Sequence, residues 1–155
     1  MAEDEILVRF IYNIFINVVE YEDGLIVSSL YPLEGTNGIS VQQFIGDCSE
    51  VYCKKRALTS KKLIEFHGFY GLGAIKTKTV QELPLQVKYT NTDKNPYHAD
   101  IIIRQKFKKN QALPQETIQL LDDLAFKIQL FKDACPLDQE NWCGENIKLA
   151  MNPAI

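Results

Sequence analysis

The architecture expected of this chain depends mainly on the residues Ile6-Leu7-Val8-Arg9-Phe10-Ile11-Tyr12-Asn13-Ile14-Phe15-Ile16-Asn17-Val18. The even positions of this run are all apolar, whereas its odd positions mix apolar, polar and charged residues. A period of two is typical of a β-strand. Asp23-Gly24 follows this run, and an Asp-Gly pair supplies the positive φ angles of a tight hairpin turn before the apolar residues 25–27. The sequence therefore predicts an antiparallel hairpin over residues 6–27, with the even apolar positions buried.

Shorter signals follow this run. Residues 39–46 predict a short strand, and Asp47 or Ser49 is placed to cap a brief helix that carries Lys54-Lys55-Arg56. Residues 85–89 and 98–104 predict two strands joined by the turn-forming residues 91–96, which makes another hairpin. Three glycines before them lack the order of a dinucleotide or phosphate loop, so they indicate bends in strands: Gly68, Gly71 and Gly73.

The last third of the chain predicts helices. Pro114 suits a first helical turn, and one apolar stripe follows at steps of three and four before Pro136: Ile118, Leu121, Leu124, Ala125, Ile128 and Phe131. Residues 138–151 predict a short second helix interrupted at Gly144. The expected fold is a single α+β domain over residues 1–155, a mainly antiparallel sheet opened by a hairpin, with one long C-terminal amphipathic helix and a short terminal helix.

Composition excludes several classes of protein. The 155 residues are 46% hydrophobic and 24% charged, which suits an ordinary globular domain and excludes a disordered chain. No apolar run approaches the ~20 residues of a membrane span, so no membrane partner is expected. Residues 1–5 are acidic rather than basic, unlike a secretory signal, and a cytoplasmic location is expected.

Four cysteines, Cys48, Cys53, Cys135 and Cys143, form two pairs with four and seven intervening residues. Neither spacing is that of a zinc knuckle, and a reducing compartment disfavours disulfides. Reduced thiols are therefore expected. No motif for a nucleotide or a cofactor reaches ordinary specificity, and neither a cofactor nor a metal is expected.

The charges divide the chain into three parts. Residues 1–53 carry a net charge of −8, residues 54–109 carry +9 and residues 110–155 carry −4. This asymmetry indicates either an anionic partner for the basic part or acidic segments packed beside it. A protein partner is expected, with a nucleic acid as the alternative because Phe107 lies among the last basic residues. The residues expected to bind the partner are Lys54, Lys55, Arg56, Arg104, Lys106, Lys108 and Lys109.

One strand carries a candidate catalytic set. If Ala99 and Ile101 face the core, alternation places His98, Asp100 and Arg104 together on the opposite face. Such a set can transfer protons through an imidazole oriented by the acid, or bind an anion. The alternative is a solvated strand face with a structural histidine beside the turn.

Two short segments carry a resemblance. Ser40-Val41-Gln42-Gln43 and Pro96-Tyr97-His98-Ala99-Asp100-Ile101 resemble small bacterial proteins with an early Ser-Val-x-Arg segment and a late Pro-x-His-Ala-(Asp/Asn)-Ile segment before a terminal helix. Gln43 stands where those proteins have the Arg, so a role that needs the guanidinium does not carry over. The resemblance implies no reaction.

Two interpretations follow. The first is a small cytoplasmic protein-interaction module without enzymatic activity, an accessory subunit of a bacterial assembly, whose basic middle region or apolar sheet face docks a partner. The alternative is an enzyme or binding protein that acts on an anionic nucleotide or nucleic-acid substrate through His98, Asp100 and Arg104.

Overall fold

The structure is a computed structural model that describes residues 5–13, 16–17, 25–26, 38–65, 67–83, 85–102 and 115–152. The strands are β1 (Ile6–Tyr12), β2 (Ile16–Asn17), β3 (Leu25–Ile26), β4 (Gly38–Gln43), β5 (Phe69–Lys76), β6 (Gln86–Tyr89), β7 (His98–Ile102) and β8 (Gln129–Lys132). Six of them form an antiparallel sheet with strand order β6-β7-β4-β1-β5-β8, and β2 pairs separately with β3. The helices are α1 (Glu50–Thr59), α2 (Lys62–Glu65), α3 (Thr77–Glu82), α4 (Gln115–Lys127) and α5 (Ile147–Met151).

The strand β1 lies in the middle of the sheet, between β4 and β5. Leu7 and Ile11 pack into a core cluster on one face, whereas Ile6 and Val8 pack into a second cluster on the other face. A strand covered on both faces is apolar at successive positions rather than at every second one. This explains the apolar residues at the odd positions of the run.

The prediction that the sheet opens with a hairpin over residues 6–27 is therefore wrong for β1. Its partners are β4 and β5, and only the two-residue strands β2 and β3 pair within that range, with Ile16 opposite Ile26. Burial is not confined to even positions, because Leu7 and Ile11 are fully buried. Asp23 and Gly24 lie outside the described residues, as does Ile14.

The predicted long C-terminal helix is also wrong. The helix α4 has 13 residues, and the chain continues directly into β8, an edge strand that pairs with β5. Two glycines of β5 allow this close approach. A Cβ on Gly71 would collide with the carbonyl oxygen of Phe131, and a Cβ on Gly73 would lie 2.8 Å from Cγ2 of Ile128. Phe131 belongs to the strand and packs on the face of the sheet opposite to Leu121.

Helices contribute to the core on both faces of the sheet. The first cluster takes Val80 from α3 and Leu121, Leu124 and Ala125 from α4. The second takes Cys53 and Ala57 from α1 and Ile147 from α5. The predicted stripe of α4 thus packs on the sheet through its buried members, while the side chain of Ile118 is not among those described.

The segment after β8 differs from both predictions made for it. Residues 138–151 do not form a helix interrupted at Gly144, since only α5 is helical there and Asn146 caps it by accepting a hydrogen bond from the Leu149 N–H. Cys135 and Cys143 are joined by a disulfide, with Cα atoms 5.5 Å apart, so the expectation of four reduced thiols is wrong for this pair. Among the described residues, no helix is long and apolar enough to cross a bilayer.

Candidate functional site

Strand pairing brings the candidate residues of β7 onto one face with residues of β4 and β6. Asp100 lies opposite Ser40 of β4 and opposite Lys88 of β6, and His98 lies opposite Gln42. Directly opposed residues of antiparallel strands share a face. Ala99 and Ile101 are buried on the other face, which confirms the predicted alternation of this strand.

Hydrogen bonds connect four side chains of this region in series, in the order Asp100, Thr90, His98 and Ser40. Thr90 Oγ1 donates to Asp100 Oδ2 at 3.2 Å and lies 2.5 Å from His98 Nδ1, while His98 Nε2 lies 3.3 Å from Ser40 Oγ. A hydroxyl has one hydrogen, so Thr90 accepts from His98 when it donates to Asp100. The ring hydrogen is thereby assigned to Nδ1, and the Nε2 lone pair faces Ser40.

This set is partly open to solvent. The side chains of His98 and Asp100 are 23% and 21% exposed, and Ser40 and Lys88 are exposed. We call Ser40, Lys88, Thr90, His98 and Asp100 the polar face. It offers hydrogen-bond donors and acceptors, one ammonium and one carboxylate within a small area, and it holds an imidazole in one orientation.

The basic residues expected to bind a partner have different positions. Lys54 is buried, with its side chain 1% exposed, so its ammonium is not available at the surface. Lys55 is exposed, and its Nζ lies 3.3 Å from Oε2 of Glu140. Arg56 is half-buried. The other members lie outside the described residues: Arg104, Lys106, Lys108 and Lys109.

Arg56 connects α1 to the turn before β7. Its Nη1 donates to the carbonyl oxygen of Lys94 at 3.1 Å, and its guanidinium lies 5.8 Å from the ring centroid of Tyr52. Tyr52 in turn meets Tyr97 edge-on, with centroids 5.3 Å apart. The turn between β6 and β7 is therefore held against α1, and Arg56 and Lys94 lie at one end of the strand that carries the polar face.

The second histidine is not part of the polar face. His67 has a positive φ of 66° and precedes Gly68 at the entry to β5, where its carbonyl oxygen accepts a hydrogen bond from the Asn13 side chain at 2.8 Å. It lines a cavity of about 270 Å³ together with Leu58, Leu63, Leu137 and others. The structure thus places the two histidines in different sites.

The two cysteine pairs have different environments. Cys48 and Cys53 are fully buried, with their sulfurs 3.6 Å apart. The hydrogen bond from Cys53 lowers the pKa of Cys48, and the same hydrogen bond together with burial raises the pKa of Cys53. Neither sulfur is accessible, so the basic residues after Cys53 do not make it a surface nucleophile.

The disulfide lies over a buried ion pair. Lys54 Nζ lies 2.6 Å from Asp133 Oδ2, and it donates to the carbonyl oxygens of Cys135 at 2.8 Å and Asn141 at 2.6 Å. Asp133 Oδ1 accepts the backbone N–H of Cys135 at 3.1 Å and of Cys143 at 3.0 Å. One carboxylate thus holds both ends of the disulfide loop.

Asp133, Cys135 and Cys143 also present ligand atoms within 4.8 Å of one another. They do not suit a metal ion in this state. The two sulfurs are bonded to each other, and the ammonium of Lys54 already neutralises the carboxylate and would repel a cation.

Sequence reasoning missed Ser40, Thr90 and Asp133. Ser40 stands in the segment that carries the resemblance, and Thr90 lies between the predicted strand 85–89 and the predicted turn 91–96, so both had a weak local signal. Their meeting with His98 depends on the pairing of β4 with β7, which no local pattern encodes. Asp133 lay inside the predicted helix and had no signal.

Comparison with known proteins adds no assignment, because no family model, no curated protein and no solved structure matches the chain.

Proposed function

We propose that this protein is a cytoplasmic protein-interaction module, an accessory subunit of a bacterial assembly, and that the polar face is its recognition surface. The observation that carries the proposal is a cluster of hydrogen-bonding side chains, linked to one another, on a sheet face that stays partly exposed. Side chains that hydrogen-bond to one another are already held in place, so they lose little conformational entropy when a partner binds.

Charge favours a partner with an acidic surface. Lys88 lies on the polar face, and Arg56 and Lys94 lie beside the turn that leads into β7. Among the residues that the structure describes on β6, β7 and the turn between them, the acids are Asp100, which accepts from Thr90, and Asp93 in the turn. Complementary charge steers association and selects the partner.

The experiment compares charge reversals on and off this surface. Lys88→Glu and Lys94→Glu replace exposed lysines. Each variant is expected to keep the melting temperature of the parent and to lose binding to a partner protein that the parent captures and also binds in purified form. Lys78→Glu is the matched control, because Lys78 is an exposed lysine of α3. Equal binding by all three variants would exclude the polar face as the recognition surface.

A second candidate function is supported by the position of Ser40. His98 Nε2 faces the Ser40 hydroxyl at 3.3 Å, and Thr90 and Asp100 hold the ring in that orientation. A nucleophile, a base and an orienting group in hydrogen-bond reach are the basic parts of covalent catalysis. The alternative is therefore an enzyme in which His98 takes the Ser40 proton during attack on an anionic ester.

Labelling separates the two candidates. An enzyme of this kind is expected to react with a fluorophosphonate at Ser40, and His98→Ala is expected to abolish the reaction. Ser40→Ala identifies the labelled residue. Absence of label on the folded parent protein would remove the catalytic candidate and leave the binding proposal in place.

A further inference from the structure

We propose that Cys135 and Cys143 form a thiol–disulfide exchange site, in which Cys143 bonds to the thiol of a substrate and Cys135 is the resolving cysteine. The proposal rests on the disulfide loop and its buried ion pair, and it is independent of the polar face.

The two cysteine residues differ in exposure. Cys143 is exposed, whereas Cys135 is half-buried. An incoming thiolate attacks along the axis of the disulfide, so we expect it to reach the sulfur of the more exposed residue, and the sulfur of Cys135 becomes the leaving group.

The inner sulfur faces a fixed cation. Lys54 Nζ lies 4.0 Å from Cys135 Sγ, and it is held in place by Asp133 and by the carbonyl oxygens of Cys135 and Asn141. A buried ammonium stabilises the thiolate that departs. Asp133 Oδ1 lies 3.4 Å from the same sulfur and can accept the S–H hydrogen bond once that thiolate has taken a proton.

The loop does not depend on the disulfide alone. Asp133 Oδ1 binds the backbone N–H groups of Cys135 and Cys143 at once, and Lys54 binds the loop from inside. These contacts involve no sulfur, so they persist when the disulfide is reduced. The two thiols then stay close to each other, as a reversible exchange pair requires.

The reaction is a balanced exchange with two thiols. A substrate thiolate attacks Cys143 Sγ, a mixed disulfide forms, the bond between the two protein sulfurs breaks, and its electron pair passes to Cys135. A second thiolate attacks the substrate sulfur of the mixed disulfide and releases Cys143 as a thiolate. Both cysteines take protons from water, so two substrate thiols are oxidised to one disulfide while the protein disulfide is reduced to two thiols. The reverse sequence reduces a substrate disulfide.

This role suits the cytoplasmic location proposed above. Disulfides of proteins in reducing compartments are usually transient and serve catalysis or redox sensing, whereas purely structural ones are rare.

Glutathione is the probe for the test. Excess reduced glutathione is expected to reduce the Cys135–Cys143 disulfide of the folded protein without loss of circular dichroism, and alkylation followed by mass spectrometry identifies the thiols. Oxidised glutathione is then added to two matched variants. Cys135→Ser is expected to accumulate the adduct on Cys143 at least about tenfold faster than Cys143→Ser accumulates it on Cys135, because access limits the inner sulfur.

Two lysine variants test whether the charge of Lys54 assists the departing thiolate. Lys54→Met is expected to slow reduction of the disulfide about tenfold, since the departing thiolate loses its counter-charge, and Lys55→Met is the control without effect. The cysteine variants decide the proposal even if Lys54→Met does not fold. A disulfide that resists glutathione until denaturant is added, or adducts that form equally fast on both cysteines, would overturn it.

Discussion

At the scale of single residues, Lys54 shows how far a side chain's position can depart from its sequence context. It stands in a basic cluster, next to Lys55 and Arg56, yet only Lys54 points into the protein. Its ammonium pairs with one carboxylate and donates to two carbonyl oxygens, all from the segment 133–141. An ammonium is buried only where such partners neutralise and hydrogen-bond it.

Replacing Lys54 tests this role. Lys54→Met is expected to lower the free energy of unfolding by about 3–5 kcal/mol, because it leaves the buried Asp133 carboxylate without its counter-charge. Lys55→Met is the control and is expected to change it by less than about 1 kcal/mol, since its ion pair with Glu140 is exposed. Urea denaturation of both variants makes the comparison. Equal effects would contradict the burial of Lys54.

Residue-scale predictions from sequence were most accurate where the signal was local. Ser49 was one of two proposed caps, and it caps α1 by accepting a hydrogen bond from the Tyr52 N–H at 3.2 Å. Asp133 shows the opposite case. Its partners are a lysine and two cysteine amides brought together by folding, so a carboxylate between Lys132 and Ala134 gave no hint of its role.

At the scale of elements, β8 is the main departure from expectation. The apolar spacing from Leu121 to Phe131 fits a helix, but the end of this run is more stable as an edge strand that pairs with β5. The glycines of β5 make this pairing possible, because they have no Cβ and leave room for the backbone of β8.

A substitution in β5 tests this account. Gly71→Ala is expected to displace β8 and to speed hydrogen exchange of its amides, with a loss of stability of about 1–3 kcal/mol from overpacking. Gly46→Ala is the control. Its φ of 57° makes that variant strained, but the added Cβ would make only an ordinary contact with the Tyr97 side chain at 3.7 Å, and β8 is not involved. Exchange in β8 that stays slow in Gly71→Ala would show that the strand does not need this glycine.

The helix α4 offers a second test at this scale. Leu124 is fully buried against the sheet, whereas Phe126, two residues later, is 80% exposed. Leu124→Ala is expected to lower the free energy of unfolding by about 2–5 kcal/mol through lost burial and a cavity. Phe126→Ala is expected to stay within about 0.5 kcal/mol, as surface substitutions usually do. Similar values in thermal or urea denaturation would mean that the helix face is misassigned.

At the scale of the whole molecule, β1 joins two cores. Leu7 belongs to the cluster beneath α3 and α4, and its neighbour Val8 belongs to the cluster beneath α1 and α5. If β1 left the sheet, both clusters would lose buried side chains at the same time. The single domain predicted from length would then unfold as one cooperative unit.

The single tryptophan provides the measurement. Trp142 packs against the second cluster only, so its fluorescence follows that side of the sheet. The urea unfolding transition followed by Trp142 fluorescence, with the disulfide intact, is expected to coincide with the transition followed by far-ultraviolet circular dichroism. Two separated transitions would contradict a single domain and would indicate that the two clusters unfold independently.

Local sequence patterns were enough to predict the strand character of β1, the capped helix α1, the hairpin of β6 and β7, and the shared face of His98 and Asp100, because each of these depends on residues close together in the chain. Folding of the whole chain produced the remaining features. It set the partners of β1, turned the end of the last apolar run into β8, joined Cys135 to Cys143 and placed Ser40 against His98. These outcomes depend on contacts between distant segments, whose free energy outweighs local preference once both faces of the sheet are covered.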